Sequence, residues 1–414
     1  MKVLVLGADG FIGRHVAFAL RAAGHEVLAS ARRVSALERM GFQVVKADLT
    51  QPETHDPAFW QPHLQGAALV NLAGLLTGSE AEFEAVHQRA LRAALAACAG
   101  PKLHVSAIGI EADTPFARWR RVSEAEAFAA GAMVLRPGLV LADTSYGGSS
   151  ALRAFAALPF VVPVIGSGTQ PFNPIHASDL GAVIAELLAQ PRPGLHEIGG
   201  PETMTLTALT LGLRNWLGLP RARVWRVPRW LARVSGRLGD ALRLGPISTT
   251  ALRQLDQGVW ADTAPLLAQI SARPRGISQI LASRPAGTQD LWQARLYLLK
   301  PLIRLTLALM WLASAALGFL TPLAHFGATI PLPEPLALVL ARGGGLADLA
   351  LGLALLRDWR PRKIALAQLA LVAGYTLGLT VLAPGLWLDP FGGLLKNLPV
   401  LALILVHLAL AEER

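Results

Sequence analysis

Hydrophobic and polar positions alternate in two different ways along the chain. Over the first half, short apolar runs are separated by amphipathic stretches. Such runs fit strands buried on both faces, and the stretches between them fit crossover helices. Strands are expected at residues 2–6, 26–30, 43–46, 67–71, 102–105 and 133–135, with the clearest helices at 81–99 and 122–130. This βαβ rhythm predicts an α/β fold built on a doubly wound parallel sheet. Over the last quarter the apolar runs lengthen to about 20 residues, enough to cross a bilayer as a helix. Runs at about residues 302–320, 336–356, 364–382 and 394–411 predict an all-α four-helix transmembrane bundle.

Basic residues give these spans a direction. Arg295, Lys300 and Arg304 lead into the first, and Arg357, Arg360, Arg362 and Lys363 follow the second. The loops at 321–335 and 383–393 contain no Lys or Arg. The positive-inside rule then places the N-terminal region, the 357–363 loop and the C-terminus in the cytoplasm, as expected of a multi-pass protein of a bacterial-type inner membrane. Trp359 and Trp387 fall at span ends, where aromatic belts sit. Arg342 and Asp348 lie inside the second span, separated in part by Gly343, Gly344 and Gly345. Two readings stay open: both face the bundle interior, or Arg342 snorkels and only Asp348 is buried. The glycines would change that geometry if they broke the helix. Lys396 and His407 add polar positions to the fourth span, Lys396 close enough to its end to snorkel.

Composition adds a puzzle. The chain is 53% hydrophobic and 16% charged, yet carries a net charge of +10. Its mean hydropathy of +0.43 excludes a disordered chain. The single cysteine, Cys98, excludes an intrachain disulfide. A pI near 10.5 raises nucleic acid or an anionic membrane as partner. Position decides between them. Residues 1–205 net −2, residues 206–297 net +9 and residues 298–414 net +3. Three domains are expected along these bounds, the middle one a basic juxtamembrane segment. Eight arginines fall between Arg214 and Arg243, interleaved with Trp216, Trp225 and Trp230 and with Leu231, Val234 and Leu238. Beside a membrane this reads as an amphipathic helix lying on anionic lipid, so lipids of the inner membrane are the expected partner and nucleic acid is set aside. Lys2 leads directly into the first apolar run, so no signal peptide is expected.

Candidate chemistry begins at that first run. Gly7, Ala8, Asp9, Gly10, Phe11, Ile12 and Gly13 follow it and open a helical pattern. Gly7 permits a tight turn, Gly10 lets backbone approach a pyrophosphate, and Gly13 lets helix and strand pack closely. The helix N-terminus supplies N–H groups to the phosphates. The second strand ends in Ser30, Ala31, Arg32 and Arg33, with no acid to hold the ribose hydroxyls of NAD. Two arginines there suit a 2′-phosphate, which favours NADP(H) and leaves NAD(H) as the other candidate. Asp48 and Leu49 are placed to reach the adenine. Asn71, Leu72, Ala73 and Gly74 are placed to line the nicotinamide ribose.

These residues, with Ser106, the Leu135-Arg136-Pro137-Gly138 turn and Pro174 to Asp179, resemble the extended and atypical branch of the short-chain dehydrogenase/reductase superfamily over roughly residues 1–290. The resemblance implies a Rossmann domain over 1–205, cofactor contacts that include Ser106 and Pro137, and a substrate lid in 206–297. The tail, with Gly345-Leu346-Ala347-Asp348 and Lys396-Asn397-Leu398-Pro399, resembles the DoxX-like membrane family. Members of the superfamily use a Tyr-x-x-x-Lys pair for proton transfer. Aligning Ser123-Glu124-Ala125-Glu126 with the family's run puts Arg120 at the Tyr position and Glu124 at the Lys position. Arg120 stays protonated and is no general acid. An Arg120–Glu124 ion pair at i, i+4 is expected instead. In lacking the pair the chain is similar to the accessory NADPH-binding subunit of respiratory complex I. A structural or redox-sensing role in a quinone- or respiration-linked membrane assembly is therefore expected. Two alternatives remain: an oxidoreductase of a lipophilic molecule such as a quinone, with His176 or Tyr146 as proton donor, or a transport or membrane-complex subunit regulated by nucleotide. No Cys/His spacing suggests a metal.

Overall fold

The computed structural model describes residues 1–111, 113–244, 247–323 and 332–411. The chain forms two compact units, one of residues 1–236 and 249–294, the other of 237–248 and 295 onward. Part of the expected 321–335 loop, at 324–331, and the last three residues of the C-terminus lie outside the described residues.

The first unit is built on seven parallel strands: β1 (Lys2–Leu6), β2 (Glu26–Ala31), β3 (Gln43–Lys46), β4 (Ala67–Asn71), β5 (Lys102–Val105), β6 (Met133–Pro137) and β7 (Gly194–Ile198). Their order is β7-β6-β5-β4-β1-β2-β3, so the chain winds outward from β1 in both directions. Leu4 of β1 stands opposite Leu28 of β2 and Leu69 of β4. Successive side chains point to opposite faces. Val3 and Val5 join Val16, Leu20, Leu180 and Ile184 from helices Phe11–Ala22 and Ala177–Ala189. Leu4 and Leu6 join Trp60, Leu91 and Leu95 on the other face. The expected helix at 81–99 is interrupted by a π-helical segment, Ala85–Arg89.

The basic segment departs from a single surface helix. It forms the helix Leu206–Trp216, the strand Arg223–Val227 paired in parallel with Val161–Ile165, and the helix Arg229–Ala241. Arg214 is 1% exposed and donates to the carbonyls of Ala156, Leu158 and Pro220 at 2.6–2.7 Å. The guanidinium groups of Arg153 and Arg284 each lie 5.0 Å from the Trp216 ring. The lone apolar pattern could not separate these internal residues from Trp225, Trp230, Val234 and Leu238, which are exposed.

Among the described residues three helices are long and apolar enough to cross a membrane: Thr288–Leu320, Glu334–Leu356 and Pro361–Leu382. The fourth expected span is shorter. A 3-10 turn at Leu394–Lys396 precedes the helix Asn397–Leu410, whose 14 residues rise about 21 Å, against about 30 Å of hydrocarbon. Asn397 donates from its side chain to Thr376 Oγ1 at 2.8 Å. The second unit has an apolar core, including Leu307, Trp311, Leu355 and Ile404, that also holds the buried polar residues Asp348, Gln368, His407 and Arg304, while Leu309, Leu317, Leu346, Leu377 and Val381 are exposed. This distribution suits lipid surroundings. The three glycines leave Glu334–Leu356 unbroken. Gly345 serves close helix crossing, since a Cβ on Gly318 would come within 3.1 Å of its Cα. Arg342 donates to the carbonyls of Gly318, Phe319 and Thr321, and so caps the end of Thr288–Leu320. Of the two sequence readings, only Asp348 is fully buried.

Candidate functional site

Parallel strands place the residues that follow each of them on one edge of the sheet, and a switch in winding direction opens a crevice there. The glycine turn after β1 sits at that switch. Gly7 has φ 74°, and a Cβ on Gly13 would fall 2.0 Å from the Gly7 carbonyl oxygen. Ala8 N–H donates to the Ser30 carbonyl at 3.0 Å, which ties the turn to β2. Gly10 is exposed and caps the helix Phe11–Ala22 without a side chain, and no acid occupies its first turn. The first-turn N–H groups are therefore left for an anion. Asp9, Phe11 and Ile12 are half-buried beside this opening.

The neighbouring strand ends complete the edge. Ser30 is buried, whereas Arg32 and Arg33 are exposed, with no hydrogen bond or ion pair among the described residues. Asp48 accepts from the N–H and hydroxyl of Thr50 at 3.0 and 2.8 Å. Leu49 is half-buried beside it. Asn71 is 3% exposed and accepts from Ala73 N–H at 3.1 Å, holding the turn into Gly74. Ser106 is buried after β5 with no partner for its hydroxyl, and Pro137 is buried at the end of β6. The glycine cradle, the free N–H groups and the orphaned Ser106 hydroxyl fit a dinucleotide.

Arg120 and Glu124 do not pair as expected. Glu124 takes Arg136 instead, through two contacts of 2.7 Å between largely buried side chains. Arg120 turns to the sheet edge, donates to the Val105 carbonyl at 3.0 Å and lies against Gly74, where a Cβ would meet its Nη2 at 2.2 Å. Burial pulls its guanidinium down to about 10. Two histidines that the sequence reading missed pack around it. His104 is 0% exposed and shares a 2.9 Å hydrogen bond with Asn71 Nδ2. His87, on the π-helical segment, accepts from Leu75 N–H at 3.1 Å. Burial first, and Arg120 second, push His87 down to about 3. Lone histidines in apolar runs give no spacing signal; the π-helical segment is the local irregularity that marks one of them.

The two candidate proton donors differ in exposure. His176 caps the helix Ala177–Ala189 by accepting from Ser178 N–H, and its ring also meets the Ser178 hydroxyl at 2.7 Å. Burial lowers its pKa. Tyr146 is 61% exposed, with its ring stacked 6.3 Å from Phe11 at the mouth of the glycine turn. A cavity of about 370 Å³ is lined by Ile108, Glu111, Pro171, Gln257 and Trp260 among others.

Comparison with known proteins follows this division. Residues 3–95 match the model of the NAD dependent epimerase/dehydratase family, and residues 304–405 match that of the DoxX-like family. The chain joins an epimerase/dehydratase-like Rossmann domain to a DoxX-like domain. Among solved structures, DesIV, a dTDP-glucose 4,6-dehydratase from Streptomyces venezuelae with NAD and TYD bound, aligns with a TM-score of 0.53 at 20% identity, over 71% of this chain and 97% of that one. MoeE5 in complex with UDP-glucose and NAD aligns with a TM-score of 0.50 at 19% identity, over 71% and 99%. At such identities the likeness is one of fold. A sequence search of curated proteins found no match.

Proposed function

We propose that this is a membrane-anchored NADP(H)-binding protein with a structural or redox-sensing role in a quinone- or respiration-linked membrane assembly. The observation that carries the reading is the open glycine cradle with two unpaired arginines, Arg32 and Arg33, at the end of the adjacent strand. Gly7 to Gly13 would hold the pyrophosphate, Asp48 and Leu49 the adenine side, and Asn71, Ala73, Gly74, Ser106 and Pro137 the nicotinamide side. Arg32 and Arg33 favour NADP(H) over NAD(H), the latter bound in the DesIV and MoeE5 structures. When bound, the nicotinamide supplies hydride chemistry. Arg120 argues for a role without standard turnover, because a cation wedged against Gly74 offers no proton at neutral pH.

The three-part organisation at 1–205, 206–297 and 298–414 belongs to the same reading, with Gln257 and Trp260 of the middle part among the residues that line the cavity. The exposed Trp225 and Trp230, beside Arg226, Arg233 and Arg237, would rest on anionic lipid. In this reading the nucleotide-binding part and the C-terminus lie in the cytoplasm, as the positive-inside rule has it.

Tyr146 favours a second reading, an oxidoreductase of a lipophilic substrate, because its hydroxyl-bearing ring stands beside Phe11. His176 does not, being committed to its helix cap. Full-length protein titrated with NADPH and then offered soluble quinones separates these. Binding without turnover supports the first reading. Turnover that survives Arg120→Ala and is lost in Tyr146→Phe replaces it with the second. No nucleotide binding overturns both and leaves a transport or membrane-complex subunit.

A further inference from the structure

The second unit buries a carboxyl for which the nucleotide reading has no use. Asp348 lies in the middle of Glu334–Leu356 and is 3% exposed, so the bundle's own helices screen it from lipid. Its Oδ2 accepts from Ser314 Oγ at 2.6 Å and its Oδ1 from the Tyr375 hydroxyl at 3.1 Å. Among the described residues no Lys, Arg or His is within ion-pair distance. The charged groups on the surrounding helices are engaged elsewhere or point outward. Arg304 faces Asp358 at 3.4 Å, Arg342 caps the carbonyls after Ala315, and Lys396 is exposed. Glu334, Arg362 and Lys363 stand in the first turns of their helices and Lys300 lies within Thr288–Leu320, each at least 12 positions from the residue of its own helix that carries or touches the carboxyl.

A permanently ionised carboxylate in an apolar bundle calls for a cation or several N–H donors. Asp348 has two hydroxyls instead. A hydroxyl donates to a carboxylate and, after rotating, accepts from a carboxylic acid; ammonium, guanidinium and amide N–H groups only donate. The pair thus suits both protonation states with no movement of heavy atoms. Gly344 keeps the approach clear, since a Cβ there would come 3.0 Å from the Tyr375 hydroxyl.

Polar groups continue from this site along the bundle. Trp311, one turn from Ser314, donates to the buried Gln368 at 2.9 Å. His407 is 2% exposed, and among the described residues neither ring nitrogen has a partner. Buried polar atoms left unpaired call for an explanation, and a transient proton or water is one that suits an imidazole. Arg304 and Ser314 mark a row about 15 Å long on their helix, half the hydrocarbon thickness.

We propose that Asp348 is a proton-binding site of the membrane unit. Its carboxylate takes up one proton to become a carboxylic acid, and Ser314 or Tyr375 turns from donor to acceptor. One O–H bond forms and no electron is transferred. The site stands independently of nucleotide binding in the first unit.

The test uses full-length protein in liposomes. Infrared difference spectra between about pH 5 and pH 9 should show one protonated carboxyl band that titrates and disappears in Asp348→Asn. Dicyclohexylcarbodiimide, which attacks protonated carboxyls, should label Asp348 at the acid end and progressively less toward the alkaline end. If Asp348→Asn fails to insert, Tyr375→Phe keeps the carboxyl and should move the titration to higher pH, because one donor to the carboxylate is lost. A carboxyl that stays ionised throughout the range overturns the proposal, as does labelling that is absent or independent of pH.

Discussion

The two units bury carboxyl groups by different rules. In the first, buried carboxylates meet guanidinium groups: Glu124 meets Arg136, and Asp290 meets Arg284 at 2.7 Å with Arg153 at 3.7 Å. In the second, the buried Asp348 meets hydroxyls, and the carboxylate that Arg304 faces at 3.4 Å, Asp358, is exposed. The difference follows from the surroundings. A water-flanked domain can neutralise charge by pairing, and losing one partner strands the other. Between membrane helices, a group with hydroxyl partners can change protonation without stranding anything.

The comparison can be broken by substitution. Arg136→Ala should cost about 3–5 kcal/mol, because Glu124 is left buried and unpaired; chemical denaturation of the first unit measures it. Gly13→Val should cost about 1–3 kcal/mol and abolish nucleotide binding, since its Cβ meets the Gly7 carbonyl. Arg32→Ala with Arg33→Ala should weaken NADPH by about 1.5–3 kcal/mol, or roughly ten- to hundredfold, and leave NADH unchanged in a fluorescence titration. Asp348→Asn should cost only about 1 kcal/mol, because an amide still satisfies both hydroxyls. If its cost instead matched that of Arg136→Ala, the distinction between the units would fail.

Acid sharpens the same contrast. His87 is held at about 3 against an ordinary 6.5, so the folded first unit binds fewer protons than the unfolded chain below that value. The stability it contributes is fully present above about 6.5 and is lost as pH falls toward 3. Melting temperature should drop through this window, and His87→Gln should flatten part of the drop. The smallest expected effect concerns lipid. Replacing Arg226 and Arg233 by Ala should weaken quenching of Trp230 by anionic brominated lipid by about 1 kcal/mol per arginine.

Sequence pattern carried far in the first unit because buried parallel strands read as bare apolar runs. The expected strands at 2–6, 43–46, 67–71 and 102–105 coincide with β1, β3, β4 and β5. β7 was not anticipated, because His196 and Glu197 interrupt its apolar run. The glycine turn was legible because each glycine has a steric reason. Partners were not. Glu124 was expected to meet its helical neighbour Arg120, but Arg136 reaches it from β6, 12 positions away. Asn71–His104 joins residues 33 positions apart. In the basic segment, charge counting could not show that Arg214 is spent on three internal carbonyls. The long apolar runs announced the membrane helices, yet only packing revealed which of their polar residues face inward.

The central claim is that the glycine cradle binds NADP(H). Equilibrium titration of full-length protein in lipid nanodiscs with NADPH and with NADH tests it most directly. The account predicts one NADPH per chain, bound more tightly than NADH and lost in Gly13→Val. No binding of either nucleotide, or NADPH binding that Gly13→Val leaves intact, would contradict it.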